Sequence, residues 1–261
     1  MPFTLAHPVA VLPLLRTRLV APGLVVGSMA PDLSYFAALR PLDGDVTHSW
    51  WGLVVVDLPL ALAFLVVFER FTAPALVALG PRWVRERVAG RVAPTPVTPA
   101  LLGSILVGGV THVVWDAFTH YDGFAVLRMR WLKHDVVPGL PIYQFLQMGG
   151  SAVGVAFLTW WVLRRLRRTD PGPVPAHLAP PARPLVPIAW VLGAAAVVGL
   201  GNGLRGMAAV GEVPVLDLLA AVPTTKQWQT GVVLACIGAI SAAFAALACY
   251  GVLRGRVTST R

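Results

Sequence analysis

The chain has 261 residues, 56% of them hydrophobic and only 13% charged, where a soluble domain carries roughly 25% charged residues. Several apolar runs reach the ~20 residues that cross a bilayer, so the sequence reads as an all-α, polytopic helical membrane bundle: five clear transmembrane helices plus a broken or re-entrant N-terminal helical segment. The net charge of +9 is spread in short arginine clusters between apolar runs, the pattern that holds loops in the cytoplasm, and no nucleic-acid partner is expected.

The opening Met1-Pro2-Phe3-Thr4 has neither a positive leader nor a cleavage site, so removal of a signal peptide is not expected. Thr4-Leu5-Ala6-His7-Pro8 begins a short apolar helix to Leu15, backed by Arg16 and Arg18. Leu19 to Leu39 is interrupted by Pro22, Gly23, Gly27 and Ala30-Pro31-Asp32. A proline and a carboxylate at membrane depth are costly in lipid but tolerable where they line a protein cavity. Pro22-Gly23 is a natural break, and the preferred path for 8–39 is two short helices that dip in and back, which lets His7 approach later residues. A loop with Asp43, Gly44 and Asp45 leads to Thr47-His48-Ser49.

Five spans follow. The first covers about Trp50 to Phe68, with Glu69 and Arg70 marking its far interface; the second, about Leu101 to Phe118; the third, about Ile142 to Leu163. A fourth covers about Leu185 to Leu204 and a fifth about Trp228 to Leu253. This divides the chain into a motif-bearing membrane domain (1–165), a basic, Pro-rich cytoplasmic linker (166–184), and two C-terminal spans with a basic tail (185–261). Arginine concentrates at Arg70, Arg82, Arg85, Arg87 and Arg91, at Arg164, Arg165, Arg167 and Arg168, and at Arg254, Arg256 and Arg261. The positive-inside rule puts all three groups, and the C-terminus, in the cytoplasm. His48, Asp116 and His120 then lie at the outer face of the cytoplasmic membrane. Cys236 and Cys249, both inside the last apolar run, read as small apolar residues. Asn202, Arg205 and Glu212 read as an interfacial helix end.

The stretch Thr111-His112-Val113-Val114-Trp115-Asp116-Ala117-Phe118-Thr119-His120 carries the strongest chemical signal. Positions four apart on a helix stack about 6 Å apart along the axis, so His112, Asp116 and His120 form one column of metal-ligand types at metal-ligand spacing. The bland alternative is a polar helix end that meets water or caps the bundle. Threonine precedes three of the six histidines, at Thr47-His48, Thr111-His112 and Thr119-His120. Such a hydroxyl either orients the ring, as outer-shell groups do at metal sites, or caps a helix end. Asp32 needs a partner at membrane depth, and a metal or His48 would serve. Together His7, Asp32, His48, His112, Asp116 and His120 supply four imidazoles and two carboxylates, an inventory that suits a dinuclear zinc site with a bridging carboxylate and an activated water. Asp57, inside span one, is a candidate for pairing within the bundle or for catalysis. Arg128, Arg130 and Lys133 either clamp a phosphate or form a headgroup-binding loop.

Four ordered motifs carry a resemblance: Pro2-Phe3-Thr4-Leu5-Ala6-His7-Pro8, Gly27-Ser28-Met29-Ala30-Pro31-Asp32, Thr47-His48-Ser49, and Thr111-His112-x-x-Trp115-Asp116-x-x-Thr119-His120. Together they resemble an uncharacterised family of bacterial multi-pass membrane proteins, a domain of unknown function, over most of residues 2–165. The pattern is similar to membrane-bound metal-dependent hydrolases and, more distantly, to the ligand order of zinc-dependent phospholipase C. The resemblance implies that His7, Asp32, His48, His112, Asp116 and His120 are metal ligands with Asp116 bridging. The later His-x-x-x-Glu pair of the phospholipases has no counterpart after His120.

The leading expectation is a metal-dependent hydrolase acting on an ester or phosphoester, with a membrane lipid or lipid-linked phosphate as substrate. One or two divalent ions, zinc rather than magnesium by the imidazole share, would bring a bound water to a pKa of about 7. Asp32 or Asp57 would be the catalytic base. The alternatives are a non-enzymatic membrane protein with a structural metal site or polar core, and last a transporter, since spans three to five offer no deep ionisable residue.

Overall fold

Proline and glycine placement decides how the apolar runs are cut into helices. A computed structural model describes residues 4–37, 44–219 and 222–259. Pro2, Phe3, Leu39, Asp43 and Arg261 therefore lie outside the described residues, as do the side chains of Asp45 and Arg256.

The N-terminal stretch is broken, as its composition requires. It runs through Thr4–Ala6, Pro8–Val11 and Leu12–Arg16, then through Ala21–Gly27, Ala30–Asp32 and Leu33–Phe36. The break falls at residues 17–20 rather than at Pro22-Gly23. Pro22 sits in the first turn of Ala21–Gly27, where its missing N–H has no helical partner to lose. The chain turns instead at Thr17, whose hydroxyl donates to the Leu14 carbonyl (2.7 Å) and accepts from the Leu19 N–H (3.2 Å).

Five helices are long and apolar enough to span a membrane. They are α1 (Trp50–Leu79), α2 (Pro99–Thr119), α3 (Ile142–Arg167), α4 (Leu185–Gly211) and α5 (Thr225–Ser259). Helix α1 does not stop at Glu69 and Arg70. The chain is apolar again from Phe71 to Leu79, and the two charges sit in a widened π-type turn, Phe68–Thr72. A second such turn spans Leu53–Asp57. Each contains the residue four before a proline, Val55 before Pro59 and Arg70 before Pro74. A proline ring clashes with that carbonyl, and widening the turn relieves the clash without ending the helix.

The described chain forms two compact units. The first comprises residues within Met1–Ser34, Ala38–Val66 and Pro94–Asp170. Its apolar core joins Val26, Ala30 and Leu33 to Ala61 and Leu65 of α1 and to Leu101 and Ile105 of α2. The Ala21–Gly27 helix lies directly on α2: a Cβ at Gly108 would come within 2.5 Å of the Leu24 carbonyl and 2.6 Å of the Ser28 nitrogen. Backbones approach this closely in membranes through small residues. Helix α2 starts at a Thr98 cap, whose hydroxyl accepts from the Leu101 N–H, and ends where His120 turns extended. The connection to α3 holds Phe124–Arg128 and a two-stranded hairpin, Asp135–Val137 with Leu140–Pro141. It packs on buried Ala125, Val126 and Leu132.

The second unit comprises residues within Tyr35–Ala37, Val67–Ala93 and Pro171–Arg261. Its α4 and α5 pair closely, with Gly199 and Gly203 facing Ala235, Ala239 and Gly231. Asn202 lies within α4 rather than at its end, and its Nδ2 donates to the Leu234 carbonyl across the pair (3.2 Å). Val174 and Leu178 of the Pro-rich segment pack with Val77 and Ala89. Cys236 and Cys249 are free thiols.

Candidate metal centre

All six predicted ligands come together in the first unit, around Asp116. The α-helical rise puts His112 one turn before Asp116, and the close approach of the Ala21–Gly27 helix brings Ser28 and Asp32 against the same face of α2. His7 arrives from the start of the first short helices, and His48 from the turn before α1. The Asp116 Oδ2 lies 3.1 Å from His112 Nε2, 3.3 Å from His48 Nε2 and 3.4 Å from His120 Nδ1. Its other oxygen, Oδ1, lies 3.2 Å from His7 Nε2. Asp32 Oδ1 stands 3.8 Å from both His48 Nε2 and His112 Nε2. The rings of His7 and His112 stack with centroids 3.9 Å apart.

Two features set the ring chemistry. His112 Nδ1 faces the Ser28 carbonyl at 2.8 Å and His7 Nδ1 faces the Thr4 carbonyl at 3.3 Å. A carbonyl can only accept, so each Nδ1 carries a hydrogen, and in the neutral ring each Nε2 presents its lone pair to the cluster. This arrangement of histidine backed by an acceptor is the one that orients metal ligands. Thr4 also donates its hydroxyl to Asp32 Oδ2 (2.6 Å), which fixes that carboxylate and leaves Oδ1 for the cluster.

Burial makes the arrangement costly unless something is added. His7, Asp32, His112 and Asp116 are buried, whereas the His48 and His120 side chains are 26% and 27% exposed. Among the described residues, His112 Nε2, Asp116 Oδ2 and His120 Nδ1 are buried with no hydrogen-bond partner. With neutral imidazoles the two carboxylates carry two negative charges, and an uncompensated buried ion costs several kcal/mol. The spacing fits a cation: two ligands each ~2.1 Å from a tetrahedral ion lie ~3.4 Å apart, the separation found around Asp116 Oδ2. His7, Asp32 and His112 form one group that could hold a metal ion, and His48, His112 and Asp116 form another. Both groups use His112, whose Nδ1 is already engaged.

The other candidates divide. Asp57 is buried in the widened turn of α1, and neither carboxylate oxygen has a hydrogen-bond partner among the described residues. The ionisable groups that act on it are His48, His112 and Asp32. Arg128, Arg130 and Lys133 stay outside the cluster, exposed on the α2–α3 connection. The Arg128 guanidinium stacks 3.7 Å over Phe124, and the Lys133 ammonium lies 5.0 Å over Tyr121. Of the three threonines beside histidines, only Thr47 meets its own ring, at 3.2 Å from His48 Nδ1. Thr111 and Thr119 bond back to Gly108 and Trp115 of their own helix. The groups that do contact the cluster, the Thr4 hydroxyl and the Thr4 and Ser28 carbonyls, have no signature of their own. Thr4 and Ser28 lie inside the motifs that carry the resemblance, but their roles depend on contacts 28 and 84 residues away.

No curated protein sequence and no solved structure matches the chain. A family model does, over residues 1–252, which include every residue of the cluster. The chain therefore belongs to the family described as a domain of unknown function, DUF4184.

Proposed function

We propose that the cluster binds one or two divalent ions, zinc foremost, and forms the active centre of a membrane-embedded hydrolase. Its substrate would be a phosphoester or ester of a lipid or lipid-linked molecule, met at the outer face of the bacterial cytoplasmic membrane, with the C-terminus in the cytoplasm. The observation that carries this reading is the convergence of three buried atoms: His112 Nε2 and His120 Nδ1 stand 3.1 and 3.4 Å from Asp116 Oδ2, and none of the three makes a directed hydrogen bond among the described residues.

His7, Asp32, His48, His112, Asp116 and His120 would hold the metal. Asp116 turns one oxygen to His7 and the other to His48, His112 and His120, so its carboxylate would be the central ligand of the cluster. An ion bound there would supply a nucleophilic water at neutral pH and polarise the scissile group. Asp57, with both oxygens unpartnered, is better placed than Asp32 to accept a proton, since Asp32 is engaged by Thr4. A structural metal site is normally closed; the part-exposed His48 and His120 leave one side open, which favours the enzyme reading.

The test is hydrolysis of vesicle phospholipid and of a soluble phosphodiester, bis(p-nitrophenyl) phosphate, by zinc-loaded protein. Turnover lost in Asp116→Ala, with the variant still folded by circular dichroism, is the expected result. Zinc bound in the parent with no turnover of either substrate would contradict the hydrolase.

A further inference from the structure

Helix α2 has a second face that the metal centre does not use. At about 100° per residue, Val110, Val114 and Phe118 form a stripe roughly opposite His112 and Asp116. All three are exposed, and with Phe145 and Val153 of α3 they wall an open groove of about 730 Å³, within the ~300–1,000 Å³ of ligand pockets. Trp115 and Thr119 occupy the sector between the two faces and line the groove as well. The Trp115 ring lies 5.9 Å from that of His7, so the wall of the groove is also the wall of the cluster.

We propose that this groove seats one acyl chain of a membrane phospholipid whose headgroup lies at the metal centre. The proposal rests on the hydrolase reading for the headgroup, but the groove itself is argued independently. Its lining is apolar apart from two threonines and the Trp115 ring, and it runs along two membrane-spanning helices, where the surrounding solvent is hydrocarbon. Depth comes from paired glycines on α3. A Cβ at Gly149 would meet nothing within 4 Å, while Gly150 lies against the Trp115 ring, whose Cζ2 would be 3.1 Å from an added Cβ. The headgroup end is marked by charge: Arg128 and Lys133 are exposed just past α2, and Lys133 lies over the ring of Tyr121 beside His120. Of the two carboxylates on that connection, Asp122 is exposed and Asp135 is tied to the Gly139 N–H. A phosphate between an apolar groove and exposed cations is the chemistry of a phospholipid.

The full chain would be reconstituted in dioleoylphosphatidylcholine vesicles doped with a phosphatidylcholine carrying a diazirine at mid-chain, photolysed, and the adducts mapped by mass spectrometry. Adducts should concentrate on residues 110–119 and 145–153. They should fall about ten-fold, the equivalent of roughly two buried methylenes, in Gly149→Leu and in Val153→Trp, both of which fill open space. Val162→Trp, on α3 outside the groove and exposed, should not change them. Labelling spread evenly over α4 and α5 as well, or unchanged in both groove variants, would overturn the seat, as would cross-links showing a second copy of the chain lying in it. Groove labelling should persist in Asp116→Ala. Labelling in the groove without any hydrolysis by the parent would leave the seat standing and remove only the hydrolase.

Discussion

Replacing Gly108 with alanine should disorganise the metal centre without touching a ligand. The new Cβ would lie 2.5 Å from the Leu24 carbonyl and 2.6 Å from the Ser28 nitrogen. Restoring ordinary contact moves the Ala21–Gly27 helix and α2 apart by about 1 Å, because close-packed interiors have no slack to absorb it. The Ser28 carbonyl, 2.8 Å from His112 Nδ1, would then pass beyond hydrogen-bond range, and Asp32, one turn further on, would retreat with it. Overpacking costs about 1–3 kcal/mol, and loss of a group that orients a ligating histidine lowers metal affinity roughly 10–100-fold. Competition between the detergent-purified protein and a fluorescent zinc chelator measures that loss directly. Gly103→Ala is the control, since a Cβ there on the same helix meets nothing within 4 Å; its zinc affinity should match the parent's. A Gly108→Ala variant that melts earlier yet binds zinc as tightly as the parent would refute the link between helix approach and the cluster.

Thr4→Val removes the donor to Asp32 Oδ2 at nearly constant volume, and the same chelator titration should show zinc affinity about 10–100-fold lower. Asp57→Asn should keep the parent's zinc content while hydrolysis at saturating zinc falls about 10²–10⁴-fold, the range for loss of a general base; an unchanged rate would remove Asp57 from the chemistry. Gly203→Leu would drive a side chain into the Gly231 carbonyl, which an added Cβ already approaches to 2.8 Å. Its melting temperature should fall while zinc stoichiometry, read by atomic emission, stays at the parent's value.

The residues of the cluster were legible because their chemistry is local in type and periodic in spacing. His112 and Asp116 share a helical face by arithmetic alone, and Asp32 at membrane depth demanded a partner. His120 shows where the arithmetic ends: α2 stops at Thr119, and His120 reaches Asp116 from an extended residue instead. Of the two readings open for the threonines, ring orientation fails at Thr111 and Thr119, because a helical hydroxyl finds its own turn's carbonyl before any distant ring. Thr4 and Ser28 were unreadable as backing groups, since nothing local says which carboxylate or imidazole they will meet. Proline explains two of the differences in boundary. Pro22 begins a helix rather than breaking one, and Pro74 widens α1 at Arg70 rather than ending it. The groove could not be read either, because Val110, Val114 and Phe118 look like any lipid-facing stripe until Gly149 and Gly150 are set across from them.

The central claim is that the six side chains around Asp116 are a metal centre. The most direct measurement is the zinc content of the detergent-purified protein beside folded Asp116→Ala and His112→Ala variants. Near-stoichiometric zinc in the parent that is lost in both variants is the predicted result. A parent that holds no metal and takes up none when zinc is added would contradict it, and the histidines would then be a polar core.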